Sequence, residues 1–263
     1  PQWLVKIRIE GNRTLDDDDL IPQLALRRVV NSGRGIDDFQ LSVDADRVRA
    51  AYMLLGFFEV KVKARIDLKG KHQTAVFEVV EGRRATMSVV IRGLPPEVSE
   101  ARARKLIEIP DGGPFDYEVY DDAKLPLTTL VENAGYANVQ LEAYISAERT
   151  AGKAVAIYEF LPGERCTFGV AHIEGVTGDL AQAVNDRIAF DQGQIYSAAA
   201  LAATQRDLYE LGRFSTVVVE AQRTPGQTVV PVKITVALAN RHEVRLGGGF
   251  GYEPLTLEAR VRA

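Results

Sequence analysis

Val5-Lys6-Ile7-Arg8-Ile9-Glu10-Gly11 is a short alternating run that ends in glycine, and its pattern occurs three times. The second copy is Ser88-Val89-Val90-Ile91-Arg92-Gly93 and the third is Gly169-Val170-Ala171-His172-Ile173-Glu174-Gly175. The closing glycines lie 82 residues apart, from Gly11 to Gly93 and again from Gly93 to Gly175. A fixed period of this kind marks tandem structural units. A second landmark recurs inside each unit: Leu55-Gly56-Phe57-Phe58-Glu59-Val60, Ala134-Gly135-Tyr136-Ala137-Asn138-Val139 and Leu211-Gly212-Arg213-Phe214-Ser215-Thr216-Val217. A third, Val80-Glu81-Gly82 and Leu161-Pro162-Gly163-Glu164, closes the first two.

Periodicity changes in a fixed order within a unit. Val5, Ile7 and Ile9 alternate with charged residues, the period of a half-buried strand. A helix is predicted from about Leu20 to Val30, with Asp16 to Asp19 in front of it and Asp19 as its cap, because Pro22 fits only a first turn. Val43, Val48, Ala51, Tyr52 and Leu55 predict a second helix that Gly56 stops. Two strands follow, Val60 to Ile66 and Ala75 to Val80, around a Lys69-Gly70-Lys71 turn. The second unit predicts helices near Val98 to Ile109 and Tyr117 to Ala134, with strands near Val139 to Ala147 and Ala154 to Leu161. The third predicts helices near Leu180 to Ile188 and Ala198 to Leu211, with strands near Thr216 to Ala221 and Val230 to Ala237. The fold class is therefore α+β. Three tandem two-layer units of β-α-α-β-β order are expected over 1–83, 84–164 and 165–239. Units of about 80 residues can each bury a modest core. Gly56, Gly135 and Gly212, following the second helices, are expected at positive φ.

Composition narrows the function classes. The 263 residues are 46% hydrophobic and 26% charged, as in folded proteins. A net charge of -4 and an isoelectric point near 5.6 argue against a nucleic-acid binder. Mixed charges leave no polybasic tract for a membrane surface. Cys166 is the only cysteine, so no internal disulfide forms, and a buried thiol is its plain reading. No run of about 18 apolar residues predicts a membrane helix.

Chemistry-bearing patterns are missing. His72, His172 and His242 have no second ligand at metal spacing. The Asp16 to Asp19 run lacks the ligand spacing of a calcium loop. No helix follows the glycines of Gly247 to Gly251, and neither a Gly-x-Ser-x-Gly elbow nor a His-Glu-x-x-His pair occurs. Asp37-Asp38 and Asp121-Asp122 read as acids beside helix starts. No enzyme, catalytic residue, cofactor or metal is expected.

The unit pattern resembles the polypeptide-transport-associated (POTRA) repeats of the BamA/TamA outer-membrane assembly superfamily, over residues 1 to about 238. Tyr120-x-x-x-Lys124 with Ala134-Gly135-Tyr136 is similar to the TamA-type second repeat. Gly163-Glu164-Arg165-x-x-Phe168-Gly169, Ile173-x-Gly175, Gly193-x-x-Tyr196 and Gly212-x-Phe214 resemble the TamA-type third repeat. Arg213 stands where an aromatic residue usually follows the glycine, and Ala198 to Ala200 is blander than the pattern. The resemblance implies an arm in the periplasm that assists insertion of proteins into the cell outer membrane. It also implies unfolded outer-membrane protein clients, a TamB-like inner-membrane partner, and lipid contact through a barrel.

The C-terminal stretch points the same way independently. Val244, Leu246, Gly248, Phe250 and Tyr252 alternate with Arg245, Gly247, Gly249, Gly251 and Glu253. Leu255, Leu257, Ala259 and Val261 alternate again after Pro254. Passes of about nine residues suit barrel strands. Residues 240–263 are thus expected to begin a transmembrane β-barrel that continues past Ala263, with a soluble hairpin as the alternative.

With no catalytic pattern, the expected activity is client binding by strand addition, in which main-chain hydrogen bonds hold an extended segment. POTRA order makes the last strand of each unit central and leaves the strand after the second helix at an edge. The client-binding residues expected there are Val60 and Val62, Val139 and Leu141, and Thr216, Val217, Val218 and Val219. The third edge is β-branched and uncharged until Glu220, and proline at Val218 is expected to weaken pairing if that amide points outward. Rival readings are the arm of a protein export or import pore, of two-partner secretion or chloroplast-envelope type, and a spacer without clients.

Overall fold

The computed structural model describes residues 2–239. The expected barrel hairpin at 240–263 lies outside the described residues. Contacts divide the described chain into two compact units. One contains the chain up to Val131 with Val139–Gly163, and the other Glu132–Asn138 with the residues from Glu164 onward.

The larger unit holds two sheets. The first is built from β1 (Leu4–Glu10), β2 (Lys61–Lys69) and β3 (His72–Val80), in the order β1-β3-β2. β1 runs parallel to β3 and β2 antiparallel to it, so the last strand is central. Two helices, α1 (Asp17–Leu20) and α2 (Asp38–Leu54), lie between β1 and β2 in sequence. Leu41, Val48 and Tyr52 of α2 join Val5, Ile9, Ala75, Phe77 and Val79 in one buried core. Each of these valine, leucine, isoleucine and phenylalanine side chains contributes about 1.5–3 kcal/mol by leaving water.

The predicted helix from Leu20 to Val30 does not form. Its place is taken by the four-residue α1 and two 3-10 turns, Ile21–Gln23 and Ala25–Arg28. Pro22 cannot continue an α-helical ladder, and Leu24 is extended between the turns (φ -81°, ψ 138°). Asp16, not Asp19, begins α1, and its backbone N–H donates to the Asp19 carboxylate at 3.2 Å. The donors freed at the second turn are satisfied from an unexpected direction. Asp44 is fully buried on the core face of α2 and accepts from the backbone N–H groups of Ala25 (2.9 Å) and Leu26 (2.8 Å). Arg47 completes the cluster at 2.6 Å. Val43, expected in the core, is only half-buried, because the face runs through Leu41, Asp44 and Val48.

The second sheet comprises β4 (Thr86–Arg92), β5 (Gly113–Pro114), β6 (Gln140–Glu148) and β7 (Lys153–Leu161), in the order β5-β4-β7-β6. Its helices are α3 (Glu100–Arg104), α4 (Tyr117–Asp122) and α5 (Lys124–Glu132). The two-residue β5 is an addition to the expected order. The helix predicted from Val98 to Ile109 shortens to α3, beyond which the amides of Leu106 and Ile107 take tighter bonds to Ala103 and Arg104. That predicted from Tyr117 to Ala134 breaks at Ala123, because Pro126 has no N–H for the Asp122 carbonyl and crowds it. Asp37 caps α2 through the amides of Phe39 and Gln40, as its position suggested. Asp121 and Asp122 instead end α4, and Asp121 pairs with Lys124 at 2.6 Å. The cap of α4 is Asp116. The buried Tyr158 hydroxyl donates to the Tyr120 carbonyl at 2.8 Å and ties the sheet to α4.

The second compact unit holds the third sheet: β8 (Thr167–Glu174), β9 (Phe214–Ala221) and β10 (Val229–Leu238), in the order β8-β10-β9. Its helices are α6 (Asp179–Asn185) and α7 (Ala198–Tyr209). Val184, Leu208, Phe168, Phe190 and Tyr196 pack with Val217, Val232, Ile234 and Val236. The Phe168 and Phe190 rings stack with centroids 4.0 Å apart. Cys166 is buried in the same core, its thiol 3.4 Å from the Glu164 carbonyl.

The landmark glycines explain themselves in these sheets. Gly11, Gly93 and Gly175 have φ of 82°, 72° and 97°. A Cβ at these positions would collide with the main-chain carbonyls of Val79, Phe160 and Val236 respectively, each on the central strand. Gly56, Gly135 and Gly212 also take positive φ, as helix-ending glycines do.

Two stability outcomes follow. Gly93→Ala is expected to destabilise by about 2–4 kcal/mol, because left-handed strain adds to the collision with Phe160. Gly163→Ala shares the positive φ but has nothing within 4 Å, and is expected to cost about 1 kcal/mol. Equal urea midpoints for the two variants would refute the collision. Asp44→Ala, which orphans two backbone donors, is expected to cost about 3 kcal/mol, and Asp44→Asn less. A midpoint for Asp44→Ala matching the parent would mean that the turns do not need this carboxylate.

Candidate strand-addition edges

A three-stranded sheet with its last strand at the centre has two edges, and the chain treats them differently. In the second sheet the β4 edge is covered at its start. Gly112 donates to the Met87 carbonyl and Phe115 to the Ala85 carbonyl, both at 2.8 Å, around the β5 pairing. In the third sheet the loop before α7 covers β8 in the same way. Phe168 donates to the Gln194 carbonyl, Gly193 to the Phe168 carbonyl and Tyr196 to the Cys166 carbonyl, at 2.8, 2.8 and 3.0 Å. Gly193-x-x-Tyr196 is therefore the motif that seals this edge. Burial pushes the Tyr196 hydroxyl pKa up, while Arg223, whose guanidinium donates to it at 2.9 Å, pulls the other way. Within each sheet's own pairing, β2, β6 and β9 keep one side unpaired.

Not every residue expected at these edges lies there. Val60 precedes β2 and is buried in the core, its amide turned to the Phe57 carbonyl at 3.1 Å. Val139 likewise precedes β6. The strand-like pattern began one residue early in both, because apolar residues of the preceding turn extend the alternation. Val62, Leu141, Thr216, Val217, Val218 and Val219 do occupy edge strands. Val62 and Leu141 are half-buried and Val217 is fully buried, so these side chains face inward. Thr216 and Val218 face solvent.

The three edges differ in charge. The exposed face of β2 carries Lys61, Lys63 and Arg65, the last paired with Asp67 and Glu78. The exposed face of β6 carries Glu142 and Glu148. That of β9 presents Ser215, Thr216 and Val218 before its single charge at Glu220. Charge and proline normally guard edges against pairing. The third edge has neither over residues 214–219.

The direction of each β9 amide follows from its pairing with β10. Gln222 donates to the Pro231 carbonyl at 2.8 Å, so these two residues form a hydrogen-bonded pair. Such pairs alternate along an antiparallel ladder. Glu220–Lys233 and Val218–Thr235 are then hydrogen-bonded pairs as well, in the observed register. Val217 and Val219 therefore send their amides outward, and the Val218 amide is spent on β10. The Val217 amide agrees independently: it donates to the Tyr209 hydroxyl at 3.2 Å. Side-chain alternation in the sequence cannot reveal this parity, which is set by the register of β9 against β10. Gly169 accommodates the proline, since a Cβ there would lie 3.0 Å from the Pro231 nitrogen.

A groove of about 400 Å³ in the larger unit is lined by Leu15, Gln23, Ala51, Leu54, Leu55 and Tyr117 together with Asp116, Glu118, Asp121 and Asp122. Asp116 is committed to capping and Asp121 to Lys124. Among the described residues no cluster of three His, Cys, Asp or Glu could hold a metal. Nor is any described helix long and apolar enough to cross a membrane.

Comparison with known proteins bears on the repeats. Residues 4–82 match the family described as POTRA, surface antigen variable number repeat. The chain is 21% identical over 262 residues to the outer membrane protein assembly factor BamA of Neorickettsia risticii, covering 95% of this chain and 35% of that protein. It thus spans about a third of that relative's length. Among solved structures, POTRA3-5 of Haemophilus influenzae BamA superposes with a TM-score of 0.58 at 17% identity, covering 90% of this chain and 98% of that one. Haemophilus ducreyi BamA lacking POTRA domains 1-3 gives a TM-score of 0.51 at 14% identity, over 60% of this chain and 30% of that one. At these identities the structural likeness establishes the fold, three tandem POTRA units. The chain thus carries a stretch, residues 4–82, that matches the POTRA family, and it is similar over most of its length to the POTRA portion of BamA proteins.

Proposed function

We propose that the chain is the periplasmic binding arm of an outer-membrane protein assembly factor, and that it holds unfolded β-barrel clients by adding their strands to its sheet edges. The observation that carries this reading is the β9 edge, which is uncharged from Phe214 to Val219 and turns the amides of Val217 and Val219 outward. Main-chain pairing at such an edge is indifferent to client side chains, which suits a factor that handles many clients. Val62 and Leu141 lie on the corresponding edges of the first two sheets, but the charges there favour pairing less. Relatives of BamA type favour the assembly branch over the TamA branch, so a TamB-like partner is not part of this reading. Outer-membrane attachment is proposed to come through a barrel beyond the arm.

The ladder parity moves the informative proline from Val218 to Val219. Val219→Pro removes an outward donor and is expected to weaken binding of an extended peptide of alternating apolar and polar residues by about tenfold. Its urea midpoint is expected to stay close to the parent's, since the inner ladder is intact. Val218→Pro breaks a bond to β10 and is expected to destabilise by about 3 kcal/mol. Peptide titration followed by amide shifts along β9 reads the binding. If Val219→Pro binds the peptide as the parent does, edge addition at the third unit is wrong.

A further inference from the structure

The β9 edge is open in charge but not wholly open in hydrogen bonding. Val217, one of its two outward valine amides, donates to the hydroxyl of Tyr209 at 3.2 Å. Tyr209 ends α7, three residues before Gly212, and is 45% exposed, so its ring can leave the edge without opening the core. The positions three residues before the other helix-ending glycines are Met53 and Glu132. Methionine has no hydroxyl to offer, and the Glu132 carboxylate is engaged by Arg223 at 2.7 Å. Of these three positions, a hydroxyl therefore stands only beside the edge that lacks charged protection.

The geometry points to Tyr209 as a latch on the β9 edge, a residue that sets which extended segments the third unit accepts. This rests on the edge-addition reading above and deepens it. In the closed state the tyrosine oxygen accepts the bond from the Val217 amide that a client carbonyl would otherwise accept. A client strand pairs first with the groups at Val219 and beyond, which the latch does not cover. It then displaces the hydroxyl to reach Val217. The exchange trades one neutral hydrogen bond for another and returns the tyrosine hydroxyl to water, so the latch lowers affinity without blocking access. Segments too short to reach Val217 gain nothing from its release. The latch thus stands in for the charges on β2, making casual pairing weaker while leaving full-length strand addition possible.

The test uses the whole 263-residue chain and two probes, alternating valine-threonine peptides of four and ten residues. Tyr209→Phe keeps the ring and removes the acceptor. It is expected to bind the ten-residue peptide about two- to tenfold more tightly, the range one modest hydrogen bond commands. Binding of the four-residue peptide is expected to be unchanged. In the free protein the Val217 amide is expected to exchange with solvent faster in Tyr209→Phe, while the Val232 and Ile234 amides of β10 keep the parent's protection. That readout would not move if Tyr209 merely packed. Unchanged or weaker binding of the longer peptide, or unchanged exchange at Val217, overturns the latch. If Val219→Pro loses binding while Tyr209→Phe binds as the parent does, the latch fails and the edge stands. If neither variant alters binding, the edge reading fails and the latch with it.

Discussion

The approach of a glycine α-carbon to a central-strand carbonyl governs each repeat. β1, β4 and β8 all end at a glycine, and at each the chain must turn away across its parallel neighbour. The Val79, Phe160 and Val236 carbonyls stand where a side chain would be. Only a residue without Cβ, at positive φ, makes the turn at that distance. With the turn fixed, the chain passes over one face of the sheet as helices, and the following hairpin must return on the far side of the third strand. The result is a last strand at the centre and a strand after the second helix at the edge, three times over. The edges at which we propose clients bind are thus consequences of the glycines that give the sequence its 82-residue period.

A second device recurs at the ends of the second helices. Arg84 donates through Nε to the Leu55 carbonyl at 2.8 Å, while Ala85 donates to the Gly56 carbonyl at 2.9 Å. Arg165 and Cys166 do the same to Ala134 and Gly135, at 2.9 and 2.7 Å. Terminal helix carbonyls have no intrahelical partner, and a guanidinium next to them suits the negative end of the helix dipole. Gly56 and Gly135 leave room for this: a Cβ on Gly56 would lie 2.6 Å from the Phe115 Cβ, and one on Gly135 would lie 2.8 Å from the Arg165 Cγ. Gly212 has nothing within 4 Å. The same glycine thus serves as a cap in all three repeats and as a close-packing site in two.

The sequence reveals what is periodic and hides what depends on a distant partner. Strand alternation and glycine spacing led to the three sheets, while the central place of each last strand was implied by the POTRA resemblance. Asp44 escaped notice because a carboxylate in an amphipathic helix reads as solvent-facing, and its reason for burial lies 18 and 19 residues away, in the amides of Leu26 and Ala25. The failed helix from Leu20 to Val30 has the same origin, since a buried acceptor makes 3-10 turns tolerable where apolar spacing favoured α-helix. β5 pairs through only Gly113 and Pro114, too short to leave a period. Val60 and Val139 were drawn into the edges by alternation that runs back into a turn. The direction of the Val218 amide was unreadable for a different reason. Side-chain facing and amide facing share a period of two, but their relative phase is set by register against β10.

Edge protection is distributed unevenly, and the unevenness is where function enters. The starts of β4 and β8 are covered by the chain's own loops, which carry a positive-φ glycine at 112 or 193 and are thus written into these two repeats. The exposed face of β2 is charged, and that of β6 is charged less. The exposed face of β9 is uncharged up to Glu220, and the outward Val217 amide there is met by the neutral hydroxyl of Tyr209. A permanently sealed edge would need no Tyr209, and an aggregation-prone one would lack it. An edge held by a single 3.2 Å hydrogen bond to a half-exposed side chain is protected against weak encounters, yet it can still yield to a strand that forms several bonds at once.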